Sequence, residues 1–232
     1  MTPIISSHRI HCCSGHQKKL DARVPQNEIA AIYDSISNIY DIWGNLTESR
    51  ARSRALELAV IKNGQKILEV AVGTGMAFFE IVKRNPDGTN IGIDISAGML
   101  KKAQKRLRQL SRANYELKKA SAFHLQGKDA QFDVIINNYM FDLIPFDQMD
   151  AVLAEFKRVL KKEGKLVLVN MTVGEKFGSR IYDLMYRVSP RLMGGCRGIR
   201  LSQKLKDHGF HVKLREYHQQ CLFPSEVILA RK

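Results

Sequence analysis

The stretch "QKILEVAVGTGMA" (Gln65–Ala77) changes abruptly from an apolar run with one carboxylate to two glycines separated by a threonine. The apolar run predicts a buried strand over 66–72, and the residues after the glycines predict a helix over 76–83. Glycines at such a turn let the backbone bend tightly and leave space above it for a ligand. Because ligands of open parallel sheets bind beyond the carboxyl ends of the strands, this loop marks a candidate binding site.

The same loop indicates which ligands it does not suit. A dinucleotide-binding fingerprint needs a third glycine at position 78, where this chain has Phe78. A phosphate-cradling loop needs Gly-Lys-Ser/Thr, which does not follow here. The loop therefore disfavours nicotinamide-dependent enzymes and nucleotide hydrolases.

A second marker follows in "NIGIDIS" (90–96), where Asp94 ends the next apolar run. An acid at this place, roughly twenty residues after the glycine loop, accepts hydrogen bonds from ribose hydroxyls. Together, the loop and Asp94 predict a site for an adenosine without phosphates.

The rest of the chain alternates between strand and helix patterns. This order predicts an α/β, Rossmann-like, doubly wound fold whose mostly parallel sheet carries helices on both faces and ends in an antiparallel hairpin. One domain is expected over 25–232, after a disordered tail over 1–24. The predicted helices are 27–40, 47–60, 76–83, 97–110, 146–160 and 202–210, and the predicted strands are 66–72, 90–95, 115–120, 132–138, 164–172 and two closing segments.

Composition narrows the class of protein. The 232 residues are 44% hydrophobic and 26% charged, which is typical of a folded water-soluble protein, and no apolar run approaches membrane-spanning length. The formal charge of +14 favours an anionic partner, either nucleic acid, acidic lipid or a phosphorylated substrate. Four scattered cysteines favour a reducing cytoplasm. A soft-metal site in the tail (His8, His11, Cys12, Cys13 and His16) lacks a second ligand cluster, so no metal is expected.

Four ordered motifs carry a family resemblance. They are "ILEVAVGTGMA" (67–77), "IGIDISAGML" (91–100), "FDVIINNYMFDLI" (132–144) and "FKRVLKKEGKLVLVN" (156–170). In this order and spacing, over residues 27–232, the chain resembles the class I S-adenosylmethionine-dependent methyltransferases, whose sheet has seven strands. The leading segment "NEIAAIYDSISNIYDIWGN" (27–45) is most similar to ubiquinone/menaquinone C-methyltransferases and bacterial phosphatidylethanolamine N-methyltransferases.

The resemblance implies roles for individual residues. Glu69 and the loop of Ala71, Gly73 and Gly75 would border the methionyl part of S-adenosylmethionine, and Asp94 would bind its ribose. Two departures are that Ala71 replaces the first glycine of the loop, and that Ser121 with the Ala122 backbone replaces an acid that relatives use for the adenine amine. The remaining implied cofactor residues are Ile95 and Met99 at the adenine, Asn138 at the sulfonium, and Tyr33 and Tyr40 at the entrance.

No single catalytic base can be named. Transfer of an activated methyl group needs a base only where the acceptor keeps its proton. The candidates are Tyr33, Asp34, Tyr40, Tyr139, Asp142 and the weaker His124; the tyrosines could equally be core aromatics at helical spacing.

The predicted acceptor is small or lipid-like, such as a phospholipid headgroup or a quinone precursor. Residues 174–201, the expected substrate lid, mix apolar and arginine residues, which suits a greasy molecule with an anionic head or an acidic bilayer. Tyr139, Tyr182 and Arg197 are the expected substrate contacts. "NNYM" replaces the motif of nucleic-acid amino-methyltransferases, which disfavours nucleic acid. An RNA or protein methyltransferase, or a non-catalytic binding subunit, remains the alternative. The expected location is the cytoplasm, with peripheral membrane association; the oligomeric state is left open.

Overall fold

The fold is a seven-stranded sheet flanked by helices, described by a computed structural model. The structure describes residue 22 and residues 25–111, 113–175, 196–221 and 223–232. Apart from Ala22, the predicted tail over 1–24 therefore lies outside the described residues, as do its metal-ligand candidates and most of the predicted lid over 174–201.

The elements follow the predicted alternation. The helices are α1 (Gln26–Thr47), α2 (Ser49–Ala59), α3 (Met76–Arg84), α4 (Ala97–Leu107), α5 (Met149–Val159) and α6 (Ser202–Asp207), with a 3₁₀ turn at Phe141–Leu143. The strands are β1 (Lys66–Val70), β2 (Thr89–Asp94), β3 (Tyr115–Lys119), β4 (Phe132–Asn138), β5 (Leu160–Met171), β6 (His211–Gln220) and β7 (Phe223–Arg231).

The strand order confirms the predicted topology. It reads β3-β2-β1-β4-β5-β7-β6, in which the first five are parallel and β7 pairs antiparallel with both β5 and β6. The order reverses between β1 and β4, so the carboxyl ends of β1, β2 and β4 frame the crevice where ligands of such sheets bind.

Alternating strand residues fill two cores, one on each face. Leu68, Ile135 and Leu168 pack beneath α5, whereas Ile67 and Val134 pack beneath α2, α3 and α4. Both faces are buried because helices cover both sides, as expected of a mostly parallel sheet.

Two boundaries differ from the predictions by four residues or more, whereas the others shift by up to three. Helix α1 continues past Tyr40 to Thr47. Within this extension, a Cβ on Gly44 would come within 2.9 Å of the Met76 methyl group, so glycine lets the helix pack against Met76. Strand β5 begins at Leu160 instead of 164, since a left-handed Glu163 (φ 61°) and a register shift beside Phe132 carry the pairing through an irregular stretch.

Candidate functional site

A cavity of about 360 Å³ lies at the carboxyl ends of β1, β2 and β4. It opens where the sequence places the glycine loop and the acid of β2. Its walls include the following predicted site residues: Tyr33, Ala71, Gly73, Asp94, Ile95, Met99, Ser121, Ala122, Asn138 and Tyr139.

The loop after β1 is held in a conformation that side chains resist. Ala71, Gly73 and Gly75 have φ angles of 60°, 55° and 80°. A left-handed alanine costs roughly 1–2 kcal/mol, so Ala71 stores some strain at this position of the loop. A Cβ on Gly73 would meet nothing within 4 Å, because this residue faces the open cavity.

Gly75 has a different role from the one predicted. It does not line the cavity; a Cβ there would lie 2.9 Å from Cα and Cβ of Ala103 on α4. Gly75 therefore lets α3 and α4 approach closely, and its contribution to a cofactor site is indirect.

Asp94 is fixed at the cavity wall by the backbone. Its Oδ2 accepts the N–H of Gly73 at 2.8 Å and its Oδ1 accepts the N–H of Ser96 at 2.9 Å. Burial raises the pKa of this carboxyl, and these two hydrogen bonds oppose the rise. Each oxygen keeps a further lone pair, so Asp94 can accept ribose hydroxyls.

The predicted adenine end is apolar with one hydroxyl. Ile95, Met99 and Ala122 line the cavity there, and Phe123 joins them although the sequence did not suggest it. Ser121 Oγ accepts the backbone N–H of Phe123 at 3.3 Å, so its hydroxyl proton is available to a ligand.

A smaller pocket of about 40 Å³ joins the main cavity. Ala71, Gly73, Asn138 and Tyr139 line both spaces. The pocket also contains Glu69 and two residues that sequence reasoning missed, Glu48 and Arg52 of the α1–α2 region. No local sequence signal could have found this pair, since it reaches the site only through the packing of α2.

Unsatisfied acceptors point into this region. Asn138 donates to Oε1 of Glu69 at 3.1 Å, while Oε2 of Glu69 and Oδ1 of Asn138 are buried with no hydrogen-bond partner among the described residues. Burial raises the pKa of Glu69 to about 8 and that of Glu48 to about 7, against a lowering by the Arg52 guanidinium. Two unpaired acceptors beside a guanidinium fit the ammonium and carboxylate of a methionyl group.

Helix α1 covers the cavity. Ile29, Ala30 and Tyr33 project into it. Tyr40 also lies on α1, but its side chain is outside the described part of the structure. Asp34 accepts from the Ser96 hydroxyl and from the Gly98 N–H at 2.9 Å, which fastens α1 to the start of α4.

Further along α1, a second group of hydrogen bonds fastens this helix over the site. Asp41 accepts from the Thr74 hydroxyl in the glycine loop and from Arg106 of α4 at 2.5 Å. The Arg106 side chain also donates to the Thr74 carbonyl at 3.1 Å. The helix, the loop and α4 are thus joined over the site.

The three predicted substrate contacts have different outcomes. Tyr139 lines both spaces, in a left-handed conformation (φ 53°), with its hydroxyl 2.9 Å from Ser225 Oγ. Arg197 is fully buried; it donates to the carbonyls of Asp142 and Ile144 at 2.8 and 2.5 Å, and its guanidinium stacks on Phe146. Arg197 is therefore a structural residue in this arrangement. Tyr182 lies outside the described residues.

The structure places the candidate catalytic bases in different surroundings. Of those whose side chains are described, Tyr33 and Tyr139 line the cavity, and the Tyr33 hydroxyl lies 3.6 Å from Cys196 Sγ. Asp142 is fully buried behind the wall, where burial raises its pKa to about 7; exposed His124 lies outside the lining.

In the part of the chain that the structure describes, no cluster of His, Cys, Asp and Glu could hold a metal ion. Among the same residues, no helix has the length and apolar character needed to cross a membrane.

Comparison with known proteins shows the family to which the chain is similar. A model of the methyltransferase domain matches residues 61–208. The chain is 30% identical over 153 residues to a demethylmenaquinone methyltransferase of Lactobacillus johnsonii, covering 63% of this chain and 62% of that one. It is 30% identical over 184 residues to a ubiquinone/menaquinone biosynthesis C-methyltransferase of Pseudomonas savastanoi, covering 74% and 70%. The chain thus spans about three fifths to seven tenths of the length of these two relatives.

A phospholipid enzyme is also similar. Phosphatidylethanolamine N-methyltransferase of Cereibacter sphaeroides is 29% identical over 151 residues, covering 62% of this chain and 71% of that one.

Solved structures share the fold at low identity. Magnesium protoporphyrin IX methyltransferase of Synechocystis, crystallised with bound S-adenosylhomocysteine, has a TM-score of 0.61 at 15% identity, covering 91% and 90% of the two chains. A [4+2]-cyclase has a TM-score of 0.68 at 17% identity, covering 88% and 94%. One fold thus carries more than one chemistry.

Proposed function

The chain belongs to the methyltransferase-domain family of S-adenosylmethionine-dependent enzymes, and we propose that it transfers the cofactor's methyl group to a small, lipid-like acceptor. The observation that carries this proposal is the junction of two spaces at Asn138 and Tyr139, a polar pocket on one side and a largely apolar cavity on the other. A methyl group placed at that junction faces the cavity through which an acceptor can enter.

The residues present fit the cofactor. Asp94 would hold the ribose, Ile95, Met99 and the Ser121–Phe123 segment the adenine, and Gly73 would let the backbone approach. Glu69 and Asn138 would accept from the methionyl ammonium, and Arg52 would bind its carboxylate. When bound, the cofactor supplies a methyl group already activated by a sulfonium.

The chain's own part in the reaction is alignment and exclusion of water. Helix α1 closes over the cavity through Asp34 and Asp41, and Tyr139 is held in place by Ser225. Orientation of two reactants and removal of solvent lower the barrier of an in-line displacement without a dedicated base. Tyr33 offers a hydroxyl for an acceptor that must lose a proton.

The cavity wall supports a lipid-like acceptor. The lining of the main cavity also includes Ile29, Met140, Leu143 and Ile144, which would contact an apolar chain or ring. The named relatives act on demethylmenaquinone, ubiquinone/menaquinone precursors or phosphatidylethanolamine, as their names state. We therefore place the acceptor among quinone precursors and phospholipid headgroups.

The charge of the chain supports action at an anionic membrane surface from the cytoplasm. The net charge is +14, and Lys101 and Lys105 on α4 are exposed, as is Arg108 directly after this helix. Each basic residue near an anionic leaflet contributes about 1 kcal/mol of attraction. Such attraction would bring the cavity to acceptors dissolved in the bilayer.

One labelling experiment tests the proposal. The purified protein is incubated with methyl-labelled S-adenosylmethionine and a cell extract, which is then divided into lipid, small-molecule, RNA and protein fractions. Label in the lipid or small-molecule fraction, lost in an Asp94→Asn variant and kept in an Asp147→Asn control, supports the proposal. Label confined to RNA or protein would contradict it, and cofactor binding without any transfer would favour a non-catalytic subunit.

A further inference from the structure

Three buried carboxyl groups surround the methionyl side of the site. Glu48, Glu69 and Asp142 are 8%, 1% and 0% exposed. Glu48 and Glu69 line the small pocket, whereas Asp142 lies behind the wall and acts on Glu48 through its charge. The site thus contains more acid than binding one ammonium group requires.

The positive charge available to these acids is limited. Arg52 is the cation that acts on both Glu48 and Glu69, and it lines the same pocket. Its guanidinium donates to Asn45 Oδ1 at 3.1 Å, and no ion pair within 4 Å joins it to either acid in the part of the chain that the structure describes. A positively charged ligand entering this pocket would therefore meet incompletely neutralised carboxyl groups.

Glu48 is placed close to the junction where the sulfonium is expected. It lines the small pocket together with Asn138 and Tyr139, which also line the main cavity. The groups that face Glu48 are Arg52 from α2, Tyr139 and Asp142 after β4, and Cys196. Arg52 alone among these four can be cationic.

We propose that Glu48 is a specificity-determining residue that favours the charged cofactor S-adenosylmethionine over its neutral-sulfur product S-adenosylhomocysteine. In its ionised form Glu48 attracts the sulfonium, and this attraction disappears when the methyl group leaves and the sulfur becomes neutral. Product is thereby released from a site that has lost part of its electrostatic attraction. The inference concerns the cofactor alone and does not depend on the acceptor.

The protonation of these acids makes the proposal measurable. Burial holds the pKa of Glu48 at about 7, so near neutral pH part of the population carries a proton on this group. A cation entering the pocket stabilises the ionised form and displaces that proton. Binding of S-adenosylmethionine should therefore release more protons than binding of S-adenosylhomocysteine, which brings only the ammonium.

Isothermal titration calorimetry of the full chain tests this difference. Titrations with each ligand at pH 6.5, in two buffers of different ionisation enthalpy, give the number of protons released; this pH lies below the range where a ligand α-amino group titrates. We expect greater proton release with S-adenosylmethionine. Equal proton release by the two ligands, or no binding of either, would overturn the proposal.

A variant of Glu48 and a matched control distinguish the effect of the side-chain charge from the effect of the side-chain shape. Glu48→Gln keeps the side-chain volume and should reduce the preference for S-adenosylmethionine over the product by roughly tenfold, with the difference in proton release largely lost. Glu57→Gln on α2 changes an exposed acid outside the small pocket and should leave both quantities unchanged. If Glu48→Gln keeps the wild-type preference, Glu48 has no such role. The wild-type proton count still decides the matter if that variant fails to fold.

Discussion

The backbone N–H of Gly73 donates to Oδ2 of Asp94 across 2.8 Å, and this bond joins the loop after β1 to the end of β2. The two sequence markers of the site are therefore one structural unit. The glycine provides the open wall, and the acid that would bind the ribose also fixes the position of that wall.

Replacing Asp94 should weaken cofactor binding more than it weakens the fold. Asp94→Ala removes a charged hydrogen-bond acceptor, which is worth about 1.5–3 kcal/mol. We expect a loss of cofactor affinity of that size in calorimetric titration. The exposed Asp147 gives a matched control, and an Asp94→Ala variant that binds as tightly as Asp147→Ala would contradict the ribose assignment.

The two glycines of the loop should respond differently to alanine. Gly75→Ala places a Cβ 2.9 Å from Ala103 and adds left-handed strain, so we expect a loss of about 2–4 kcal/mol in the free energy of unfolding. Gly73→Ala meets nothing within 4 Å, so it should cost about 1 kcal/mol through its φ angle and instead reduce cofactor binding by filling the wall.

Urea unfolding and calorimetric titration of both variants check this contrast. Equal stability losses for the two variants would mean that the close approach of α3 and α4 does not depend on glycine at position 75.

The sequence allowed the fold to be predicted, together with many of the residues that line the main cavity. Strand alternation and the spacing from Gly73 to Asp94 are local signals, because each depends on residues close together in the chain. Arg52 and Glu48 lie before β1 and reach the pocket only through the packing of α2. A pattern among residues that are close together in the sequence cannot predict such a placement.

Arg197 is the reverse case, a residue that the sequence predicted in the site but that the structure buries outside it. An arginine in a stretch rich in apolar and basic residues suggested a substrate contact, yet its guanidinium is buried against two carbonyls and Phe146. Whether an arginine faces a ligand or its own backbone depends on the tertiary fold, which composition does not encode.

Arg197→Met should consequently destabilise the protein. Loss of hydrogen bonds from a buried charged group costs about 1.5–3 kcal/mol. We expect the free energy of unfolding to fall by that amount, with little change in the cofactor affinity of the folded protein. A stable variant that loses only methyl transfer would restore Arg197 as a substrate contact.

The stability of the cofactor-free protein should fall as pH rises from about 5 to 8. The pKa of Glu69 is raised from 4.5 to about 8, and Glu48 shifts in the same direction, so the folded state binds more protons than the unfolded state in this range. Carboxyls whose pKa is lowered to about 2, such as Glu155 and Glu216, lose their contribution only below about pH 5.

Urea unfolding at several pH values checks this sign. The decline should amount to a few kcal/mol in wild type and be smaller in Glu69→Gln, which has no titrating carboxyl at this position. An equally steep decline in Glu69→Gln would exclude Glu69 as its source.

Helix α1 should control how fast the cofactor leaves. Asp34 and Asp41 fasten α1 to α4 and to the glycine loop, while Ile29 and Tyr33 cover the cavity. Asp34→Ala leaves the Gly98 N–H without its acceptor and should speed cofactor dissociation several-fold, since opening of the helix no longer breaks that bond. Stopped-flow displacement of bound cofactor measures this rate, with Ser35→Ala on the same helix as the control. Because Asp34 does not line the cavity, a faster off-rate with an unchanged on-rate would identify α1 as the closing element, whereas unchanged rates would show that the cofactor leaves by a route that α1 does not cover.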